Sequence, residues 1–114
     1  MIPEQREFGA KMFAALANPA RLHILEHLAK GPASVNDIAE AVGLKQSMTS
    51  QHLSSLLVAG VVVYVRNGNS RLYRLRGPRV ARILELLEEF YSIHIESLSQ
   101  LLAQHHEGGA IVAN

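Results

Sequence analysis

The sequence predicts a mainly helical chain carrying one β-hairpin, an α+β fold with its elements in the order α-α-α-α-β-β-α. Apolar residues recur at helical spacing in five separate segments. Between the fourth and fifth, Val61 to Arg66 is a β-branched and aromatic run, followed by the turn signal Asn67-Gly68-Asn69 and by polar-apolar alternation from Arg71 to Leu75. The third observation is charge. Residues 41–84 contain seven basic side chains (Lys45, Arg66, Arg71, Arg74, Arg76, Arg79 and Arg82) and no Asp or Glu, although the whole chain has a formal net charge of only +1. The segment after it holds five acids and no Lys or Arg. A basic block inside a near-neutral chain is the electrostatic footprint of a nucleic-acid-binding face.

Each element follows from local residues. Residues 4–17 place Phe8, Met12, Ala15 and Leu16 on one side of a first helix. Asn18-Pro19 restarts the chain, since Asn caps helices well and Pro suits the first helical position. The second helix runs to about Lys30, with Leu22, Leu25 and Leu28 inward, and Gly31-Pro32 ends it. Ser34 caps a short third helix bearing Val35, Ile38, Ala39 and Val42; Gly43-Leu44 makes a turn. A fourth helix extends from about Gln46 to Ala59, burying Leu53, Leu56 and Leu57, and stops at Gly60. After the hairpin, Gly77-Pro78 opens a long helix to His106 whose apolar residues, among them Leu87, Phe90, Ile93 and Leu98, cover more than one face. One face can pack on the domain, and the surplus calls for a second copy of the chain. Residues 1–106 are expected to form the domain and 107–114, with two glycines, a flexible tail.

Composition narrows the function. A chain of 114 residues can hold a modest core but is short for most catalytic architectures. With no cysteine there is no disulfide, thiolate metal site or cysteine nucleophile. No stretch approaches the roughly 18–20 apolar residues of a membrane span, and the N-terminus has no basic-then-apolar signal pattern, so a cytoplasmic protein without membrane contact is expected.

Helix, helix, helix-turn-helix, hairpin and long helix together describe a winged helix-turn-helix. The chain resembles the ArsR/SmtB family of small dimeric transcriptional repressors in Leu16-Ala17-Asn18-Pro19-Ala20-Arg21-Leu22, Ile24-Leu25 and Ser34 to Ala39. The likeness continues through Gln46-Ser47, Ser50-Gln51-His52-Leu53, Leu56, Ala59-Gly60-Val61-Val62, Gly68 and Tyr73-Arg74-Leu75, spanning about residues 8–103. In a helix-turn-helix the second helix enters the major groove, and its first residues reach base edges. Here those are Lys45, Gln46, Ser47, Thr49, Ser50 and Gln51, with Arg66 and Arg71 in the wing. Gln suits bidentate contact with adenine, and Ser or Thr serves bases or phosphates. Lys45 stands where relatives open this helix with Ser, so its cap must come from elsewhere, Ser47 being the candidate. The cysteine pair that forms a sensing site in some relatives matches Ser34 and Asn36, which excludes a thiolate site of that kind.

The six histidines are weighed separately. His52 lies in the fourth helix beside the core position Leu53, where packing or phosphate contact is the plainer role than metal binding. His23, Glu26 and His27 have the H-x-x-E-H spacing of a metalloprotease motif, a remote small-metallohydrolase reading that lacks a third ligand and a cleft. On the last helix, the resemblance implies a site for Zn²⁺, Co²⁺ or Ni²⁺ formed by an acid, a His two residues on, a His eleven further and a last ligand three beyond. His94 and His105 keep the eleven-residue spacing, whereas Ser92 and Gly108 occupy the outer positions, leaving His106, Glu107 or Glu96 as substitutes. Eleven residues advance about 16 Å along a helix, so such a site needs a second, antiparallel copy across a dimer axis. The expected function is thus a homodimeric repressor binding double-stranded operator DNA, possible ligands being Ni²⁺, Co²⁺ or Zn²⁺ at His94, His105 and His106. The alternative is the same regulator without metal, controlled by a partner protein.

Overall fold

The computed structural model describes residues 1–106, with side chains as far as 105, so the tail expected at 107–114 and the side chain of His106 lie outside the described residues. Five helices and three strands are formed: α1 (Pro3–Leu16), α2 (Pro19–Leu28), β1 (Ala33–Ser34), α3 (Val35–Val42), α4 (Gln46–Val58), β2 (Val62–Asn67), β3 (Ser70–Leu75) and α5 (Pro78–His106). The chain divides into two compact units, Met1–Arg82 and the part beginning at Ile83.

In the first unit the breaks between helices have local causes. The Asn18 side chain accepts a hydrogen bond from the Arg21 amide at 3.1 Å, and Pro19 follows at the first helical position. Ser34 caps α3 by accepting from the Asp37 amide at 3.2 Å, with Asp37 itself favourably placed in a first helical turn. Gly43 ends α3 in the left-handed region (φ 73°), and the amides of Gly43 and Leu44 both donate to the Ala39 carbonyl, at 2.9 and 3.0 Å. A side chain at position 43 would strain that backbone, and this turn sets the angle between α3 and α4.

The hairpin pairs Val62 with Leu75 through Asn67 with Ser70, so the strands reach further toward the tip than the turn signal suggested. Only Gly68 and Asn69 remain in the loop. Gly68 has φ 66° while Asn69 has no positive φ, which fits a type II′ turn. A two-residue strand, β1, was not expected from the sequence. It pairs Ala33 with Tyr73 and Ser34 with Leu72, giving a three-stranded antiparallel sheet in the order β1-β3-β2. Ala33-Ser34 is too short to show alternation, and its pairing is imposed by the tertiary fold.

The core gathers Ile24, Leu25 and Leu28 of α2, Ile38 and Ala39 of α3, Leu53 and Leu56 of α4, and Val61, Val62 and Tyr73 of the hairpin base. Each fully buried aliphatic side chain contributes about 1.5–3 kcal/mol relative to exposure. Leu22, expected inward, is half-buried, and Ile24 takes the central place. Arg21 binds the helices together: its Nη1 donates to the Ala15 carbonyl in α1 and its Nε to His52 Nδ1 in α4, both at 3.2 Å.

In α5, among the described residues from 83 onward, Leu84 is buried, whereas Leu86, Leu87, Phe90, Tyr91, Ile93 and Leu102 are exposed. On α1, Phe8 and Phe13 are likewise exposed, at 61% and 60%.

Candidate nucleic-acid interface

The expected reading surface is the start of α4 and the hairpin wing. Lys45, Gln46, Ser47 and Gln51 are exposed and Ser50 is half-buried. Thr49 is not available: it is completely buried, and its hydroxyl donates to the Lys45 carbonyl at 2.9 Å. Its place among the base-reading residues is therefore corrected to one of internal support for the first turn. The helical period puts Thr49 on the same inner side as Leu53 and Leu56, four and seven residues on.

The cap expected from Ser47 is also absent. Lys45 is the N-cap residue and no side chain caps the helix. The leading amides of α4 thus point outward beside the lysine charge, an arrangement that favours phosphate oxygens.

In the wing, Tyr64, Arg66, Arg71 and Tyr73 share one face because paired residues, and residues two apart, lie on the same side of a ladder. Arg66 and Arg71 are directly opposed, an unfavourable placement of like charges in a purely structural hairpin. Arg71 is steadied by aromatic neighbours. Its guanidinium lies 4.3 Å from the Tyr64 ring centroid, and the Tyr64 and Tyr73 rings are 5.6 Å apart. A side-chain hydrogen bond with Tyr73, then the charge interaction with Tyr64, raises the guanidinium's pKa above its ordinary value. Arg71 is thus a permanent, exposed and oriented cation.

A cleft of about 350 Å³ joins these parts. It is lined by Ser34, Val35 and Asn36 from the start of α3, Gln46 from α4, and Asn69, Ser70 and Arg71 from the wing. Sequence reasoning met Asn36 only as the match to a relative's cysteine and Asn69 only as part of the turn, and did not bring them together with Ser70. Only the pairing of β1 with β3, which carries the start of α3 to the wing, reveals them.

The histidines are placed differently from one another. His94 is exposed on α5 with its ring against Phe90 (centroids 4.5 Å apart, planes inclined 39°), and His105 is exposed. His23 and Glu26 are exposed on α2 and His27 is half-buried. Among the described residues no three metal-capable side chains converge, at α2 or elsewhere. Within one chain, the residues on α5 therefore fit a divalent ion only in part: two imidazoles suit a borderline ion, but their separation along the helix requires donors from another copy.

Comparison with known proteins identifies the family. Residues 18–64 fit the family described as "Bacterial regulatory protein, arsR family". The HTH-type transcriptional regulator NmtR of Mycobacterium tuberculosis is 42% identical over 97 residues, covering 85% of this chain and 78% of that protein. The chain belongs to the ArsR family. A homodimeric winged helix-turn-helix DNA-binding domain from Mycobacterium bovis, described as a possible ArsR-family transcriptional regulator, superposes with a TM-score of 0.76 at 35% identity, over 82% of this chain and 87% of that one. The antimony-specific transcriptional repressor AntR gives a TM-score of 0.70 at 34% identity, over 87% and 86% of the two chains. This ArsR-family chain is accordingly a DNA-binding transcriptional regulator and not an enzyme, which overturns the metallohydrolase reading of His23, Glu26 and His27.

Proposed function

We propose that this ArsR-family regulator acts as a homodimeric repressor on an imperfectly palindromic operator. The observation that carries this reading is the exposed basic surface formed by the start of α4 and the wing, neither of which holds an acid. Gln46, Ser47 and Gln51 read base edges in the major groove, with Ser50 at the margin. Lys45, Arg66 and Arg71 hold phosphates. The exposed apolar residues of α5 and, separately, Phe8 and Phe13 of α1 each support a second copy as the cover. Dimerisation sets two recognition helices about one DNA turn apart, which is why a palindrome is expected. Among the described residues no helix is long and apolar enough to cross a membrane, and the cytoplasm, where an operator is reached, is the proposed location.

His94 and His105, with His106, are proposed to hold Ni²⁺, Co²⁺ or Zn²⁺ between two copies of α5. The spacing supports this, and AntR is a metalloid-specific repressor of the same fold. An ion bound there would cross-link the two helices and so bias the separation of the recognition helices.

Selection of genomic fragments by the purified chain, repeated with each divalent metal, tests both levels. Enrichment of one palindromic sequence is the expected result, with release in the presence of one metal. Enrichment that no metal alters would favour the regulator controlled by a partner protein. Uniform recovery of all fragments would refute operator recognition.

A further inference from the structure

We propose that Arg21 is a positioning residue for the recognition helix, acting through neutral His52, and that this contact makes operator discrimination sensitive to pH. The inference rests on the operator-binding reading above and concerns residues outside the DNA-facing surface.

Arg21 lies in the first turn of α2 and reaches two other helices at once. Nη1 takes the Ala15 carbonyl at the end of α1, and Nε takes Nδ1 of His52. His52 follows Gln51 directly and precedes the fully buried Leu53. Thr49, His52, Leu53 and Leu56 form one side of α4, while Gln46, Ser47 and Gln51 are exposed. The packing of Leu53 and Leu56 holds the helix down and sets its rotation only as closely as non-directional contacts allow. A directional hydrogen bond at the edge of the buried side fixes that rotation, and hence where the glutamines point.

The bond dictates the protonation state of the imidazole. Arginine has only donors, so Nδ1 must offer a lone pair, which the cationic ring does not have. Protonation of His52 therefore removes the bond and places a second positive charge beside the guanidinium. Four elements pack on α4: α1, α2, α3 and β2. From α2 the facing charge is Arg21. The other ionisable groups of these elements are Glu4, Arg6, Glu7 and Lys11 on α1, His23, Glu26 and His27 on α2, Asp37 and Glu40 on α3, and Tyr64 and Arg66 on β2. Lys11 is paired with Glu7, and among the described residues none of these groups bonds to the imidazole. No carboxylate is therefore in contact to stabilise the cation.

The test compares binding to the enriched genomic fragment with binding to a random duplex of equal length, from pH 8 to pH 5.5. The ratio of the two affinities cancels the general gain in DNA affinity as histidines charge. For the wild type this ratio is expected to fall toward the acid end of the range, with about ten-fold, the size of one hydrogen bond to a charged group, as the limit when the bond is lost altogether. His52→Asn keeps an acceptor near Nδ1 that does not titrate, so its ratio should stay flat. Arg21→Met should have the low ratio at every pH. Nitrogen chemical shifts of the His52 ring, read in the free protein, give a measure that needs no DNA: Nδ1 should be unprotonated in the wild type and lose that preference in Arg21→Met. A pH profile shared by wild type and His52→Asn, or a ring tautomer unaffected by Arg21→Met, would overturn the proposal. Failure to enrich any fragment would instead refute operator recognition, leaving the ring measurement to decide the contact.

Discussion

Replacing Arg71 with Ala isolates the wing's share of DNA binding. The guanidinium is exposed, stacked on Tyr64 and directly opposite Arg66, with no acid on its strand or the adjacent one. Removing it deletes a cation–π contact but also relieves the repulsion with Arg66, so the fold should be nearly unchanged in stability. DNA binding should change in a defined way. Each phosphate neutralised contributes about 0.9 to the slope of log affinity against log salt, so two wings of a dimer contribute about 1.8. Between about 50 and 200 mM salt, a four-fold change, that difference in slope corresponds to roughly a twelve-fold difference in how much affinity is lost. Fluorescence anisotropy of the operator duplex over that range measures both slopes. The variant should bind all sequences more weakly and lose less affinity on salt addition. An unchanged slope, or a change in which bases are preferred, would refute the placement of Arg71 on the phosphate backbone.

The exposed reading residues and the buried Thr49 should separate cleanly: Gln46→Ala relaxes base preference in a selection experiment, whereas Thr49→Val keeps the preference and lowers unfolding stability by about 1 kcal/mol, as measured in urea. Leu87→Glu places a charge on the exposed apolar face of α5 and should yield a helical monomer by light scattering and circular dichroism, with operator binding lost; a persistent dimer would move the interface elsewhere. Calorimetry with Ni²⁺, Co²⁺ and Zn²⁺ should show binding that His94→Ala and His105→Ala each abolish, and that weakens on acidification because a ligating imidazole must be neutral. Binding that survives both substitutions would place the site off α5.

Much of the fold was legible because its breaks are written in single residues. Asn18-Pro19, Ser34, Gly43 and Gly68 each solve one local backbone problem, and each marks an element boundary within a residue or two of its observed position. The hairpin itself followed from its β-branched run and turn signal, whereas its register, Tyr64 against Tyr73 and Arg66 against Arg71, is read from the structure. β1 was not legible: two residues carry no period, and Ala33-Ser34 becomes a strand only because β3 offers an edge. The same blindness hid the cleft, whose Asn36, Asn69 and Ser70 come from segments far apart in sequence.

Within α4, the sequence singled out a polar first half but not which of its residues turns inward. Gln46 to Gln51 is polar except for Met48, so hydropathy alone does not say which of the five polar side chains turns inward. Thr49 is the one that does, because its hydroxyl can return to the Lys45 carbonyl and thereby enter the core satisfied. Gln has no equally compact way to bury an amide, and Ser47 and Gln51, two residues to either side, are carried to the opposite face. The orientation of the helix is therefore decided on its inner side, by the packing of Leu53 and Leu56 and the contact from Arg21 to His52, and Thr49 can join that side because its hydroxyl is satisfied within the helix. None of these lies on the proposed DNA-facing surface, yet together they determine which residues do.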